Sequence, residues 1–357
     1  MNAVNHHRTP AAAAATFAPA VEPMTLAFDV RVTAVRQLSP NFRRITFGGY
    51  SLRDFGVHGS TLDLRIKLMI PARAADGSGI PLPEFRTGGA GWYSEWLAMD
   101  PASRGSMRTY TVRQERLDAV YPEIDVDFVL HFDDSGNGGP AANWALTAKP
   151  GDALTLIGPN NRAAHCVTAE TYSGIEWRPG LAQRVLIAGD ETAVPAISAI
   201  LESLPAYMSG HAILEVPQAG DFQDLTSPAD VEITWLARGA ATGRSRPHGE
   251  MLQEAVRAAL PEPGWVGIKT AGAAGPEPED VNVDHDILWE TPAGMDSAAL
   301  GASRNPDKPA GAMPFYAWIA GEAGTVKELR RYLVRDVGLD RKQVAFMGYW
   351  RQGKAEL

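Results

Sequence analysis

The chain of 357 residues contains one cysteine, Cys166, and that scarcity excludes a good deal. Without a second thiol there is no intrachain disulfide, no Cys-x-x-Cys redox pair and no cysteine-built iron–sulfur or structural zinc site. The lone thiol reads as an inert, partly buried residue, and the chain as one suited to a reducing, cytoplasmic compartment. No apolar run reaches the ~18 residues of a membrane-spanning helix, so no membrane partner is expected. Basic charge is also short: 33 Lys and Arg face 42 Asp and Glu, a formal net charge of -9. Nucleic-acid and anionic-membrane binders want a basic face, so neither class fits. Any anionic ligand must be held by a local basic cluster working against the overall field. Missing too is a Gly-x-Gly-x-x-Gly loop: the apolar strand Val185 to Ala188 runs into Gly189-Asp190-Glu191-Thr192-Ala193 instead.

What is present divides in two, as the length suggests. Residues 1–22, rich in Ala and Pro, read as a disordered tail rather than a signal peptide. Residues 23–170 hold six short β-type runs: Leu26–Val35, Phe42–Phe47, Leu62–Ile70, Met107–Arg113, Val126–Phe132 and Ala153–Ile157. Gly, Pro, Asn or Asp punctuates most of the gaps, which predicts an antiparallel β-barrel. Short helices are expected at Trp92–Met99 and Ala141–Ala148. From 182 to 357 strands alternate with helices, which predicts a doubly wound parallel sheet. Its helices are expected to run up to Leu204, over Gly249–Leu260 and over Val326–Val337, with Thr192 as N-cap of the first and Pro195 in its first turn. Residues 270–312, heavy in Gly, Pro, Asp and Ala, read as a surface insertion with no assigned role.

Four segments could carry chemistry. In Arg108-Thr109-Tyr110-Thr111, strand alternation puts Arg108 and Tyr110 on one face and Thr111 on the other. An Arg fork can clamp a pyrophosphate and a Tyr can lie on a flavin ring, although ordinary cross-strand pairing also explains the run. Gly138-Gly139-Pro140-Ala141-Ala142-Asn143-Trp144 is a glycine turn entering a helix, able to offer backbone N–H groups to phosphate or to serve as a plain cap. Asp190 and Glu191 would repel a pyrophosphate, so their turn is expected to shape a site rather than cradle phosphate. Gly321-Glu322 and Tyr349-Trp350 end strands, and with Gly189 they should converge on the crevice at the carboxyl edge of the sheet. The aromatics there serve either as core plugs or as a wall beside a cofactor.

Taken together and in order, these segments resemble the siderophore-interacting protein family of FAD-dependent ferric-siderophore reductases, with their ferredoxin-reductase-like plan. The resemblance rests on Arg108 to Arg113, Leu130-His131, Gly139-Pro140-Ala141 with Trp144, and Lys149-Pro150-Gly151-Asp152 followed by Gly158-Pro159. It continues in Gly189 to Ala193, Trp318 with Ala320-Gly321-Glu322, and Gly348-Tyr349-Trp350-Arg351. It implies an FAD-binding β-barrel followed by an NAD(P)H-binding-like α/β domain. By position, Arg108, Tyr110 and Thr111 would hold the flavin. His131, Ala141, Ala142 and Trp144 would line its ribityl-pyrophosphate and adenine parts, and Asp190, Thr192, Ala193 and Trp350 the junction. Lys67 and Arg351 match the basic residues that hold the ferric siderophore; where the family more commonly has a His before that lysine, this chain has Arg65-Ile66.

The reaction so implied takes electrons from NADPH or NADH, or from ferredoxin, through flavin to Fe(III) in the siderophore. Fe(II) is the softer, weaker partner of catecholate or hydroxamate oxygens, so reduction releases it. The protein would need no metal ligands and is expected to act as a monomer. Arg238, Arg244 and Arg246 follow the third α/β strand, where an Arg could pair with the 2′-phosphate of NADPH or be an exposed loop charge. Two rivals stay open: a flavin reductase component feeding a protein partner, and a siderophore-binding module without turnover.

Overall fold

The computed structural model describes residues 22–72, 74, 79–82, 92–132, 136–163, 168, 171–239, 245–260, 287–292 and 315–353. The proposed tail, Cys166, Arg244 and most of the 270–312 insertion lie outside them. Among the described residues no helix is long and apolar enough to cross a membrane.

Seven antiparallel strands build the first domain: β1 (Thr25–Ser39), β2 (Phe42–Gly48), β3 (Arg65–Ile70), β4 (Ser106–Thr111), β5 (Gln114–Arg116), β6 (Glu123–Val129) and β7 (Ala153–Pro159). Their order is β4-β3-β7-β1-β2-β6-β5. Six of them match the expected runs. The seventh, Gln114–Arg116, is short and polar and carries no alternation signal. Consecutive strands β4 and β5 lie at opposite edges, and the link between them reaches across: Val112 N–H donates to Leu64 O (2.9 Å) and Arg113 N–H to Asp125 O (2.8 Å). This curls the sheet into a half-barrel. Alternation puts Ile45, Phe47, Ile66, Leu68, Ile124, Val126 and Phe128 in its core. The intervening carboxylates of β6 face the other way and are neutralised, Asp127 by Arg44 (2.6 Å) and Asp125 by Arg116 (2.8 Å). Helix α1 (Trp92–Ala98) packs Trp96 on Met69, Met107 and Ile157 of the outer face. Helix α2 (Pro140–Thr147) sends Trp144 into the core, its ring 6.1 Å from that of Phe47 at 17°.

The second domain is a six-stranded sheet of β8 (Arg184–Asp190), β9 (Ser209–Val216), β10 (Asp230–Ala237), β11 (Trp289–Glu290), β12 (Phe315–Glu322) and β13 (Val344–Trp350). Its order is β10-β9-β8-β12-β13-β11, parallel apart from β11. Helices α3 (Val194–Ser203), α4 (Glu250–Ala259) and α5 (Ala323–Arg331, extended by a π-helical turn at Tyr332–Asp336) cover it. Val185 and Ile187 pack with the α3 side, Leu186 and Ala188 with the α4 and α5 side, which is why β8 reads as a continuous apolar run. The strand order reverses between β8 and β12, so the crevice forms at their carboxyl ends. The insertion is not wholly surface loop: β11 lies inside it and closes the sheet edge against Phe346 and Met347.

Buried polar contacts join the domains. The Asp221 carboxylate accepts from Ser39 Oγ (2.7 Å) and from Asn41 N (2.9 Å) and Nδ2 (2.8 Å). Asp63, just before β3, accepts from Glu176 N (3.2 Å), Trp177 N (3.1 Å) and Trp318 Nε1 (3.2 Å). Burial pushes the Asp63 carboxyl up from 3.8 to about 6, the N–H donors only partly opposing it. Between those two values the native state holds a proton that the unfolded chain has released, so this group's stabilisation is lost as pH rises through the window, roughly 3 kcal/mol in all. Denaturant unfolding of wild type and Asp63→Asn at pH 4 and pH 7 checks this. The wild-type-minus-variant difference should shrink toward pH 7 by about 2 kcal/mol, since part of the loss already lies below pH 4, and a pH-independent difference would contradict it.

Candidate functional site

On the barrel side, β4 presents its two faces as alternation requires. Tyr110 stands opposite Ile66 and Arg108 opposite Leu68, toward the core, whereas Thr109 and Thr111 stand opposite Lys67 and Arg65. The Tyr110 ring lies 4.3 Å from that of Phe128, and Arg108 is half-buried with Nη1 donating to Met107 O (2.9 Å). Beside them α2 begins at Gly139, which has extended backbone (φ -64°, ψ 165°) and no side-chain cap, with Pro140 at the first helical position. A Cβ at Gly138 would come within 2.6 Å of the Phe132 ring, whereas one at Gly139 would meet nothing within 4 Å. The turn is thus tight at its base and open at its tip, where the first-turn N–H groups of the helix point.

Facing this is the carboxyl edge of the α/β sheet, organised by buried Asp190. Its Oδ1 accepts from Thr192 N (2.9 Å) and Thr192 Oγ1 (2.5 Å), its Oδ2 from Glu322 N (2.7 Å) and Trp350 Nε1 (2.9 Å). One side chain therefore ties β8 to the ends of β12 and β13. Gly321 permits this at φ 144°, since a Cβ there would lie 2.6 Å from Asp190 Oδ2. Glu191, equally buried, receives both Arg238 Nη atoms at 2.7 Å and lies 2.9 Å from His131 Nε2 across the domain boundary. Burial raises the Glu191 pKa, but His131, His248 and Arg238 together hold it well below the usual carboxylate range. His248 sits with Nε2 3.5 Å from Asp190 Oδ2 and 3.6 Å from Glu191 Oε2. Burial lowers its pKa, yet the two carboxylates win and raise it. Trp350 lies between two imidazoles, 5.6 Å from His131 and 5.1 Å edge-on to His248. Oxygen and nitrogen atoms of Asp190, Glu191 and His248 lie within 4.8 Å of one another, a spacing that could hold a metal ion. Both carboxylates are nevertheless already spent on N–H and O–H donors, so the cluster works as a keystone of the cleft.

The comparisons with known proteins bear on this cleft. Residues 31–163 match the model of the siderophore-interacting FAD-binding domain, and residues 182–353 that of the siderophore-interacting protein. An uncharacterised protein of Mycobacterium tuberculosis is 31% identical over 327 residues, covering 91% of this chain and 90% of that one. The chain belongs to the siderophore-interacting protein family. A ferric vibriobactin reductase of Vibrio cholerae is 28% identical over 323 residues, 90% of this chain and 88% of its own. The crystal structure of the siderophore-interacting protein SipS from Aeromonas hydrophila superposes with a TM-score of 0.58 at 28% identity, covering 93% of this chain and 94% of that one. The half-barrel is this family member's FAD-binding domain.

The residues present fit FAD. The uncapped first turn of α2, with Ala141 and Ala142 adding no bulk, offers N–H groups and a positive helix end to a diphosphate. Arg108 and Tyr110 lie on the half-barrel face that would meet the rest of the cofactor. Four expectations need correction. Trp144 is buried in the core against Phe47 and Phe128, and so supports the α2 turn from beneath instead of lining the adenine. Thr192 does not cap α3, whose N-cap is Ala193; its hydroxyl serves Asp190. Ala193 is fully buried, in the position a Cβ on Gly189 would strike, and lines nothing. Arg238 is no phosphate clamp: its side chain is 12% exposed and locked between Glu191 and Glu215. Of its companions, Arg246 pairs at the surface with Glu250 (2.9 Å) and Glu254 (2.7 Å), and Arg244 lies outside the described residues.

Lys67 and Arg351 keep surface positions, with Lys67 Nζ on Thr109 Oγ1 (2.6 Å) and Arg351 Nη1 on Glu322 Oε1 (3.0 Å). The sequence reading missed His248, Glu215 and the Arg65 neighbourhood. A signal existed for His248, which precedes Gly249, the left-handed residue (φ 79°) that starts α4. Glu215 carries no such mark; it accepts from Gly249 N (2.7 Å) and Leu252 N (2.9 Å) and so anchors that helix end from a neighbouring strand.

Proposed function

We propose that this protein reduces Fe(III) in a siderophore complex to Fe(II) and so frees the metal in the cytoplasm, with NADPH, NADH or a ferredoxin as electron source. The observation that carries the reading is that the half-barrel matches the family's FAD-binding domain and that its His131 meets Glu191 and Trp350 at the carboxyl edge of the α/β sheet. FAD, when bound there, supplies the coupling of a two-electron donor to a one-electron acceptor. The chain's part is to orient and to exclude. Asp190 and the flanking imidazoles fix Trp350 at the junction, and the Glu191–His131 contact holds the half-barrel against the sheet. Ferric triscatecholates are anionic, and in a protein of net charge -9 their attraction must be local. Lys67 and Arg351 supply it. With Arg238 committed to internal pairing and Arg246 to Glu250 and Glu254, similar rates with NADH and NADPH are expected.

Turnover with a ferric tris(catecholate), read as Fe(II) captured by a chromogenic chelator, tests the proposal. Steady formation of Fe(II) that depends on FAD and a nicotinamide or ferredoxin donor is expected; none with any ferric chelate would overturn it. The Lys67→Ala/Arg351→Ala double variant should lose about tenfold in kcat/KM for the anionic chelate, with flavin bleaching by the donor kept. Unchanged turnover would remove the docking role from these two residues.

A further inference from the structure

The one described stretch of the insertion, residues 287–292, ends at the domain boundary and brings a tryptophan with it. Trp289 stacks on Tyr349 (5.8 Å between centroids, 15°) and carries the Arg65 guanidinium 4.3 Å from its own ring centroid. Glu176 fixes both partners, its Oε1 accepting from Trp289 Nε1 (3.2 Å) and Arg65 Nη2 (2.5 Å), and Ser173 O takes a further Arg65 Nη2 bond (2.9 Å). The guanidinium is thus held over an indole. Its Nη1 donates to none of the described residues, and 21% of the Arg65 side chain stays exposed. In the β3–β4 register Arg65 stands opposite Thr111, and Lys67 follows two residues later on the same face. A planar cation backed by an aromatic ring, with a second cation beside it, therefore runs along the strand edge that carries Thr111.

We propose that Arg65, held by Trp289, forms with Lys67 a subsite for a planar aromatic anion, the catecholate arm of a ferric chelate. This deepens the reading given under Proposed function and rests on it for the identity of the substrate. A guanidinium presents a flat face for ring stacking and N–H groups for phenolate oxygens. A hydroxamate arm has the oxygens but no ring, so it gains only the charge. Arg65 and Trp289 are then specificity-determining: they favour aromatic over aliphatic chelates.

The test separates binding from reduction. Holoprotein, Arg65→Lys, Trp289→Ala and Trp289→Phe are titrated calorimetrically with Ga(III) tris(catecholate), a redox-inert stand-in, and assayed with ferric tris(catecholate) and ferric tris(acetohydroxamate). Arg65→Lys keeps the charge and loses the flat fork, and Trp289→Phe keeps a ring. The Kd for the gallium complex, and the catecholate-to-hydroxamate ratio of KM values, should rise about fivefold in Arg65→Lys and Trp289→Ala, and Trp289→Phe should restore most of the loss. FAD content, read from the flavin spectrum, should match wild type. An equal change for both chelates, or no change for either, would overturn the subsite. Selective gallium binding with no iron reduction would sustain it and bring down the reductase reading instead.

Discussion

Replacing Arg238 with methionine should cost the fold about 3–5 kcal/mol, because it takes their guanidinium from two buried carboxylates at once. Glu191 is 2% exposed and the Glu215 side chain 0%, and the Arg238 guanidinium is the cation that pairs with both. The loss reaches further than the pair, since Glu215 also holds Gly249 N and Leu252 N at the start of α4. Burial lowers the Arg238 pKa, but Glu191, Glu215 and Asp190 together raise it. Guanidinium-chloride unfolding at neutral pH gives the number. Arg238→Lys, which keeps the charge but not the two-pronged contact, should lose clearly less. A cost below about 1 kcal/mol for the methionine variant would mean that water reaches these carboxylates and that the cluster is no keystone.

Gly139→Asp should pull stability and cofactor affinity in opposite directions. The backbone there is extended and uncapped, with open space around the missing Cβ, so an aspartate fits as an N-cap and should stabilise the apoprotein by about 0.5–1 kcal/mol. The same carboxylate would occupy the N–H groups that a diphosphate needs and would repel its charge. FAD binding, followed by flavin fluorescence on titration of the apoprotein, should weaken at least about tenfold. A variant with a raised Tm and unaltered FAD affinity would place the diphosphate elsewhere. Few substitutions separate a cap from a phosphate cradle so directly.

Much of this was legible in the residues. The six apolar alternating runs of the half-barrel and the strand–helix rhythm after residue 182 announced themselves because burial on one face or two imposes a period on the chain. Gln114–Arg116 escaped because an edge strand of three polar residues has no period to show. The turn into α2 at Gly138 to Ala142 was legible because Gly and Pro mark it locally, whereas a side chain whose partner lies far along the sequence carries no such mark. Thr192 had every local mark of an N-cap, yet Asp190, two residues earlier, offered its hydroxyl a better acceptor. Arg238 sat where a phosphate-binding arginine belongs, but nothing near it announces that Glu191 and Glu215, 47 and 23 residues away, surround it. Trp289 lay in a stretch whose Gly, Pro and Asp content promised only loop, and its pairing with Met347 and stacking on Tyr349 are purely tertiary.

The most direct measurement is an anaerobic visible spectrum of the FAD-loaded protein, first reduced by NADH or NADPH and then titrated with a ferric tris(catecholate). The flavin bands should bleach on reduction and recover in full at about two ferric chelates per flavin, since each iron takes one electron and the reduced cofactor carries two. Flavin that bleaches but never recovers would contradict iron reduction and turn attention to a protein acceptor. Absence of flavin bands even after FAD is added would contradict the cleft itself.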